Sequence, residues 1–368
     1  MTSLKYDERT KEDNKLEYIF LEENDLKSKE FIDFTNSAEY KRFKHCKEED
    51  DLYERQMVKI RYYLTCYDLK ILCAKIDGRI VGQSCALKAY AIAKGKRVEW
   101  WWGVDVFLMK ACRGKGIGKQ MQKMLHEILP NFSSAWYTPE NARVKKKCGA
   151  HGIGTVDFTY YPISTSMCVF GDLAFRKLFK RPIPFRISVP YMYSYINGMF
   201  VNTTLKDYIV TEIPYDKMGN DVAEFMESAL SNRDFHIERS LHFLKWRYSF
   251  LPAGYQMLRF EKDGNTEAIV AFSNVYNSRF DEAPIKCVTI YDMVISPHSK
   301  LTKKQLLIFI ANRFRKQHAK VDGFQMLDNF RYFGRWQYPF HSCPVLSTLP
   351  GTYSDLYLTF ADQDMYQI

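Results

Sequence analysis

A chain of 368 residues with 46% hydrophobic and 15% aromatic side chains has material for two ordinary domains with large cores, which excludes a disordered protein. No apolar run approaches the roughly 20 residues of a membrane helix, and Met1 to Asn14 is polar with no secretory-type apolar core, so a soluble, cytoplasmic protein with a flexible segment over residues 1–15 is expected, without a membrane partner. The net charge of +10 asks for anionic partners; no RNP, zinc-finger or basic-zipper pattern accompanies it, so nucleic acid is a poorer explanation than an anionic cofactor and substrate.

The elements alternate from the start. Leu16–Leu21 reads as a strand, and residues 24–43 and about 52–65 as helices. Lys70–Ile76 and Ile80–Ile92 flank Asp77-Gly78, a strong hairpin signal. Arg97–Met109 is a long strand containing Trp100, Trp101 and Trp102. Ile117, Met121, Leu125 and Ile128 form one apolar stripe, so a helix is expected from Gly116 to Leu129, ended by Pro130. A strand at Ser134–Thr138, a helix at 140–148 and a strand at Gly154–Tyr161 follow. Residues 163–204, with several prolines and a basic run, read as a connector, partly helical over Asp172–Phe179.

The order then repeats. Tyr208–Ile213 is a strand, 216–230 and 238–249 are helices, and Tyr255–Glu261 and Ala268–Tyr276 flank Asp263-Gly264. Lys286–Ile295 is a long strand, 302–316 a helix, and Phe324–Leu327 and Asp355–Phe360 are further strands. Asp105 and Asp292 hold matching places in the two long strands, which points to two copies of one fold. The nine cysteines form no C-x-x-C pair, so neither a metal site nor a disulfide framework is expected, and most read as small core residues in a reducing compartment.

The copies differ after the long strand. The first has Arg113-Gly-Lys-Gly-Ile-Gly118, the second Pro297-His-Ser-Lys-Leu-Thr302. Glycines before a helix let backbone N–H groups approach an anion. The dinucleotide fingerprint fails because Lys119 stands where a third glycine belongs. The P-loop fails because Gln120 follows Gly118-Lys119, and Arg113 replaces the first glycine.

Arg-x-x-Gly-x-Gly after a long strand resembles the acyl-CoA motif of the GNAT N-acetyltransferase superfamily. Thr138-Pro-Glu-Asn-Ala-Arg-Val-Lys-Lys-Lys-Cys-Gly149 is similar to that family's strand–Asn–helix–Gly segment. The resemblance implies an α/β (α+β) protein of two tandem GNAT-like domains, each a mixed, mainly antiparallel sheet flanked by helices: 16–162 binding acyl-CoA, and 205–368 degenerate. It implies acetyl-CoA as donor and a small-molecule primary amine, attacking the thioester directly, as acceptor. Arg113, Gly114, Lys115, Gly116, Ile117, Gly118 and Lys119 would hold the pyrophosphate, main-chain groups of Phe107, Leu108 and Met109 the pantetheine and thioester, and Asn141 would lie on the same path.

The proton-transfer residues are less marked. Glu99 and Asp105 on the long strand are candidate bases, although Asp292, retained where no glycine loop exists, suggests a folding role for that aspartate. Many family members carry a tyrosine where Lys145 stands here, so Tyr137 and Tyr160 are alternative acids. Lys145–Lys147 meet either a phosphate or only solvent. Trp100–Trp102 read first as core, with one face able to wall an acceptor site. Glu238-Arg-Ser-x-x-Phe-Leu-Lys-Trp-Arg247 and Thr359-Phe-Ala-Asp-Gln-Asp364 resemble segments of two-domain polysaccharide-related enzymes, which implies a sugar-type acceptor. A CoA-binding protein without activity, and a Fem-like aminoacyltransferase, which would lack the glycine loop, are the alternatives.

Overall fold

The computed structural model describes residues 8–9, 15–44, 46–65, 67–135, 137–162, 205–249, 254–280, 283–317, 321, 323–327, 338–359 and 362. The expected connector over 163–204, with its helix at 172–179, and most of segment 1–15 lie outside the described residues.

The first half is a meander of β2 (Lys15–Phe20), β3 (Leu69–Ile76), β4 (Arg79–Ala93) and β5 (Lys96–Leu108), edged by β1 (Glu8–Arg9). Asp77 and Gly78 both take positive φ, 49° and 78°, as the tight hairpin requires. Lys94 and Gly95, at 48° and 74°, make the next turn alike. The helix expected over 24–43 divides into α1 (Lys29–Thr35) and α2 (Ala38–Phe43). Ser37 stands between them in extended conformation and caps α2 through the Tyr40 N–H, so the local cap overrides the continuous pattern. Then come α3 (Leu52–Leu64), α4 (Ile117–Ile128), β6 (Phe132–Ser134), α5 (Pro139–Lys147) and β7 (His151–Pro162). The strand expected over 134–138 thus starts earlier and stops at Ser134.

The second half repeats the order: β8 (Ile209–Glu212), α6 (Asn220–Leu230), β9 (Phe235–Ile237), α7 (Leu241–Ser249), β10 (Gln256–Lys262), β11 (Asn265–Phe272), β12 (Tyr276–Phe280), β13 (Ala283–Ile295), α8 (Lys303–Lys316), β14 (Gly323–Leu327), β15 (Tyr338–Ser347) and β16 (Leu356–Tyr357). The sheet order β8-β10-β11-β13-β14 matches β2-β3-β4-β5-β6. Both long strands carry a register shift, opposite Gln83–Cys85 and opposite Ala271–Phe272.

The two sheets interlock. β15 of the second half pairs with β6 of the first, and β7 of the first pairs with β14 of the second, so the join reads β6-β15-β7-β14. β9 also pairs with β4. Neither β9 nor β15 stands out in the sequence. β15 contains Pro339 and Pro344, residues that argue against an inner strand, and β9 has three residues. The strand expected over 355–360 shrinks to β16.

Three cores follow. One is shared, taking α1–α3 and α6–α7 from both halves. α4 packs on the opposite face of the first sheet, and α8 packs likewise on the second. In α4, Ile117, Met121 and Leu125 are buried as expected, but Ile128 is 46% exposed and Met124 replaces it. No helix among the described residues is long and apolar enough to cross a membrane.

Candidate active site

β5 leaves the sheet through a short turn at Lys110–Cys112, and the Arg113 guanidinium folds back to donate to the Leu108 carbonyl at 2.9 Å. Gly114 and Gly116 follow with φ of 78° and 85°. L-residues pay about 1–2 kcal/mol in that region, and a Cβ at either position would meet nothing within 4 Å. The glycines therefore serve backbone shape, not packing.

The start of α4 is chemically open. Gly116 is its N-cap and no side chain caps it, whereas Ser28, Ser37, Asp51 and Thr138 cap α1, α2, α3 and α5. The first intrahelical bond runs from the Gln120 N–H to the Gly116 carbonyl at 3.0 Å. The N–H groups of Ile117 to Lys119 precede it, at the positive end of the helix dipole. The matching helix α8 is sealed instead: Gln305 N–H donates to Thr302 Oγ1 at 3.3 Å, and Thr302 N–H donates to Gln305 Oε1 at 2.8 Å. That reciprocal capping box fills the place an anion would take. The loss of glycines in the second copy thus has a structural counterpart.

Beside this loop, β5 and β6 part. They pair only at Trp101–Phe132 and Trp102–Ser133. Gly103 allows that last approach, since a Cβ there would lie 2.6 Å from Ser134 Oγ. Next, β5 bulges at Asp105, φ 48°. Past the bulge Met109 N–H donates to the Val81 carbonyl at 2.9 Å on the β4 side. Strand alternation therefore turns the Leu108 N–H to the opposite edge, facing the gap. Of the three main-chain positions expected to hold a pantetheine, the Met109 N–H is spent on the sheet and the Leu108 N–H faces the gap. The Phe107 ring belongs to the core among Phe34, Tyr40 and Phe43.

The strand that feeds the loop also lines a cavity of about 310 Å³. Trp102 to Val106, Ser134, Tyr137, Thr138 and Asn141 come from the first half; Phe243, Trp246, Arg247 and Asp362 come from the second. Trp100 is fully buried against Phe235, and Trp101 faces α4. One tryptophan of the three, Trp102, reaches the cavity.

The sequence-derived bases fare differently. Asp105 lines the cavity but is clamped: Lys44 donates to one carboxylate oxygen and Lys59 to the other, at 3.2 Å. Burial pushes its pKa up, yet the two ammonium groups outweigh burial and hold it well below the usual carboxylate range. Such a group is a weak base. Asp292 is held in the corresponding way, by Arg239 at 3.0 Å and by the Tyr248 and Thr359 hydroxyls, each at 3.0 Å. Two buried, clamped aspartates at two bulges fit the folding role. Glu99 does not line the cavity; it pairs with Lys88 at 2.8 Å and accepts from Trp101 Nε1 at 2.7 Å. The Lys88 hydrogen bond lowers its pKa. Tyr137 lines the cavity, its hydroxyl donating to the Pro344 carbonyl at 2.7 Å. The Tyr160 side chain lies outside the described residues.

Lys145 corrects the solvated-face reading of its helix. It is 2% exposed, donates to Gln122 Oε1 at 2.7 Å and stands 4.8 Å over the Phe132 ring. Burial pulls its pKa down to about 7. Lys146 and Lys147 are exposed. The clamps Lys44 and Lys59, and the cavity residue Asp362 as partner of Arg239, carry no spacing signal that marks them in the sequence. Among the described residues no group of three or more His, Cys, Asp or Glu could hold a metal.

Residues 32–144 match the family model described as Acetyltransferase (GNAT) family. No curated protein matches the chain. Among solved structures, a GCN5-related N-acetyltransferase from Anabaena variabilis is 11% identical, with 90% of this chain and 72% of that one covered, at a TM-score of 0.56. An Enterococcus faecalis protein described as a probable N-acyltransferase is 13% identical, with 91% and 72% covered, at 0.58. A tandem GNAT protein from the clavulanic acid biosynthesis pathway is 12% identical, with 91% and 99% covered, at 0.50. Residues 32–144 are therefore a GNAT acetyltransferase-family domain, within a chain that has the doubled fold of a tandem GNAT protein.

Proposed function

We propose that the chain is an N-acyltransferase that takes acetyl-CoA as donor and a primary amine on a small molecule as acceptor. One observation carries this reading: the uncapped start of α4 and the cavity lie at two ends of the same β5 segment, beside the gap that β6 leaves. A pyrophosphate at the N–H groups of Lys115 to Lys119, flanked by Arg113 and Lys119, would send its pantetheine arm along that gap. Asn141 lines the far end.

In direct attack the neutral amine forms the C–N bond and the C–S bond breaks. The carbonyl oxygen gains charge on the way. The Leu108 N–H, which faces the gap, would stabilise that charge. The amine's proton goes to water, because Asp105 is too weak a base and Glu99 stands elsewhere. Tyr137 is the proton donor for the departing thiolate, once its hydroxyl turns from the Pro344 carbonyl. Trp102, Phe243 and Trp246 offer flat apolar faces that suit a sugar-type acceptor.

The test is free-thiol release from acetyl-CoA across a panel of small amines and amino sugars. Amine-dependent release with one acetylated product per thiol is expected. CoA binding without release on any amine would leave a CoA-binding protein in place of an enzyme.

A further inference from the structure

One hydroxyl at the cavity is left unpaired. Ser134 lines the cavity and is 3% exposed, and among the described residues its Oγ has no hydrogen-bond partner. The residue before it makes the contrast. The Ser133 hydroxyl lies 2.9 Å from the Asn131 carbonyl and 2.6 Å from Ser347 Oγ. Strand alternation puts the two hydroxyls on opposite faces of β6. A buried hydroxyl without a partner costs free energy, so its retention at a cavity wall points to a partner from outside the chain.

Its place narrows that partner. β5 and β6 pair for the last time at Trp102–Ser133, so Ser134 stands at the foot of the gap along which the pantetheine arm would run. The β5 backbone makes room for it, since a Cβ on Gly103 would lie 2.6 Å from Ser134 Oγ. The arm ends in a sulfur, and Tyr137 lines the same cavity. The Tyr137 hydroxyl is engaged by the Pro344 carbonyl, Asp105 by Lys44 and Lys59, Lys88 by Glu99, and Asp362 by Arg239. The Ser134 hydroxyl has no such bond to break first.

We infer that Ser134 is a catalytic residue that holds the donor's sulfur. Its hydroxyl donates a hydrogen bond to that atom. The bond strengthens as the C–S bond breaks and the sulfur takes the electron pair, because a charged acceptor binds a donor more strongly than a neutral one. A serine hydroxyl is too weak an acid to give up its proton. The proton that completes the thiol therefore comes from Tyr137, which regains one from water. This rests on the acyl-transfer reading for the presence of CoA, and adds a second group at its leaving atom.

Calorimetric titration of the full chain with CoA and with desulfo-CoA, which carries hydrogen in place of the thiol, isolates the sulfur. Titrations elsewhere in the protein act on both ligands alike. A free thiol ionises near pH 8.5, so the comparison runs from about pH 7 to about pH 9. The wild type is expected to prefer CoA by a factor that grows as the thiolate forms and reaches about tenfold or more. Ser134→Ala should lose about tenfold of that preference at the upper pH, and should melt no lower than the wild type because no internal hydrogen bond is lost. Gly103→Ala, whose methyl would displace the hydroxyl, should copy the loss of preference. An unchanged preference in Ser134→Ala would overturn the inference while leaving CoA binding in place. A Ser134→Ala melt well below the wild type would overturn it too, by showing that the hydroxyl holds the fold. A wild type that binds neither compound would defeat the acyl-transfer reading itself, and the inference with it.

Discussion

Gly116→Glu separates binding from folding at the start of α4. Gly116 has φ 85° and open space where a Cβ would point. A side chain there costs about 1–2 kcal/mol of backbone strain, a shift of a few degrees in Tm for a chain of this size. Binding should suffer far more. The carboxylate would lie at the N–H groups that await the pyrophosphate, and repel it as well. Losing two charge-assisted hydrogen bonds at about 1.5–3 kcal/mol each removes about 3–6 kcal/mol, which weakens CoA by roughly 10² to 10⁴-fold in Kd. Gly116→Ala carries the same strain without charge or reach, so it should melt like the glutamate variant and bind CoA better. Calorimetric titration with CoA, beside thermal melts, reads both quantities. A glutamate variant that binds CoA as tightly as the wild type would refute the anion-cradle reasoning. Collapse of both variants would show that the glycines are needed for packing.

Four further outcomes are expected. Asp105→Asn removes the buried carboxylate that Lys44 and Lys59 both hold and should cost about 3 kcal/mol in urea unfolding; normal stability with lost turnover would instead make Asp105 a catalytic base. Lys145 releases its proton near pH 7 when folded but holds it to 10.5 when unfolded, so the unfolded state binds more protons in that window and stability rises with pH across it. Against Lys145→Met the wild type should gain up to about 1.4 kcal/mol per pH unit between pH 7 and 9, and parallel pH profiles would contradict the buried-lysine account. Tyr137→Phe should lower kcat with little change in acceptor KM, and unchanged kcat would remove it as the acid. Residues 1–162 expressed alone should fail to fold cooperatively, because β7 pairs with β14 and β15 of the other half; a sharp independent melt would contradict the interlocked sheet.

Local chemistry made much of the fold legible. Asp77-Gly78 and Asp263-Gly264 demand positive φ and mark both hairpins, and the apolar stripe from Ile117 to Leu125 places α4. Gly114 and Gly116 pointed to the open helix start, and the missing glycines after Pro297 anticipated the sealed one. Non-local contacts stayed hidden. β15 reads as loop because Pro339 and Pro344 interrupt it, and nothing in a strand's own residues reveals that it is exchanged with the other half. Lys145 lies in a run of three lysines whose other two are exposed, so its burial depends on Gln122 and Phe132, which come from other elements. Lys44 and Lys59 are 46 or more positions from Asp105 in the chain, and only the folded bulge brings the three together. The segments around Glu238–Arg247 and Thr359–Asp362 stood out only by resemblance. In the fold, Arg239 joins Asp362 and Thr359, while Arg247 reaches the cavity.

A crystal structure of the chain with CoA tests the central claim most directly. The account predicts pyrophosphate density on the N–H groups between Lys115 and Lys119, pantetheine between β5 and β6, and a sulfur at the cavity beside Tyr137. CoA bound at the Thr302 end of α8, or anywhere that leaves the start of α4 empty, would contradict it.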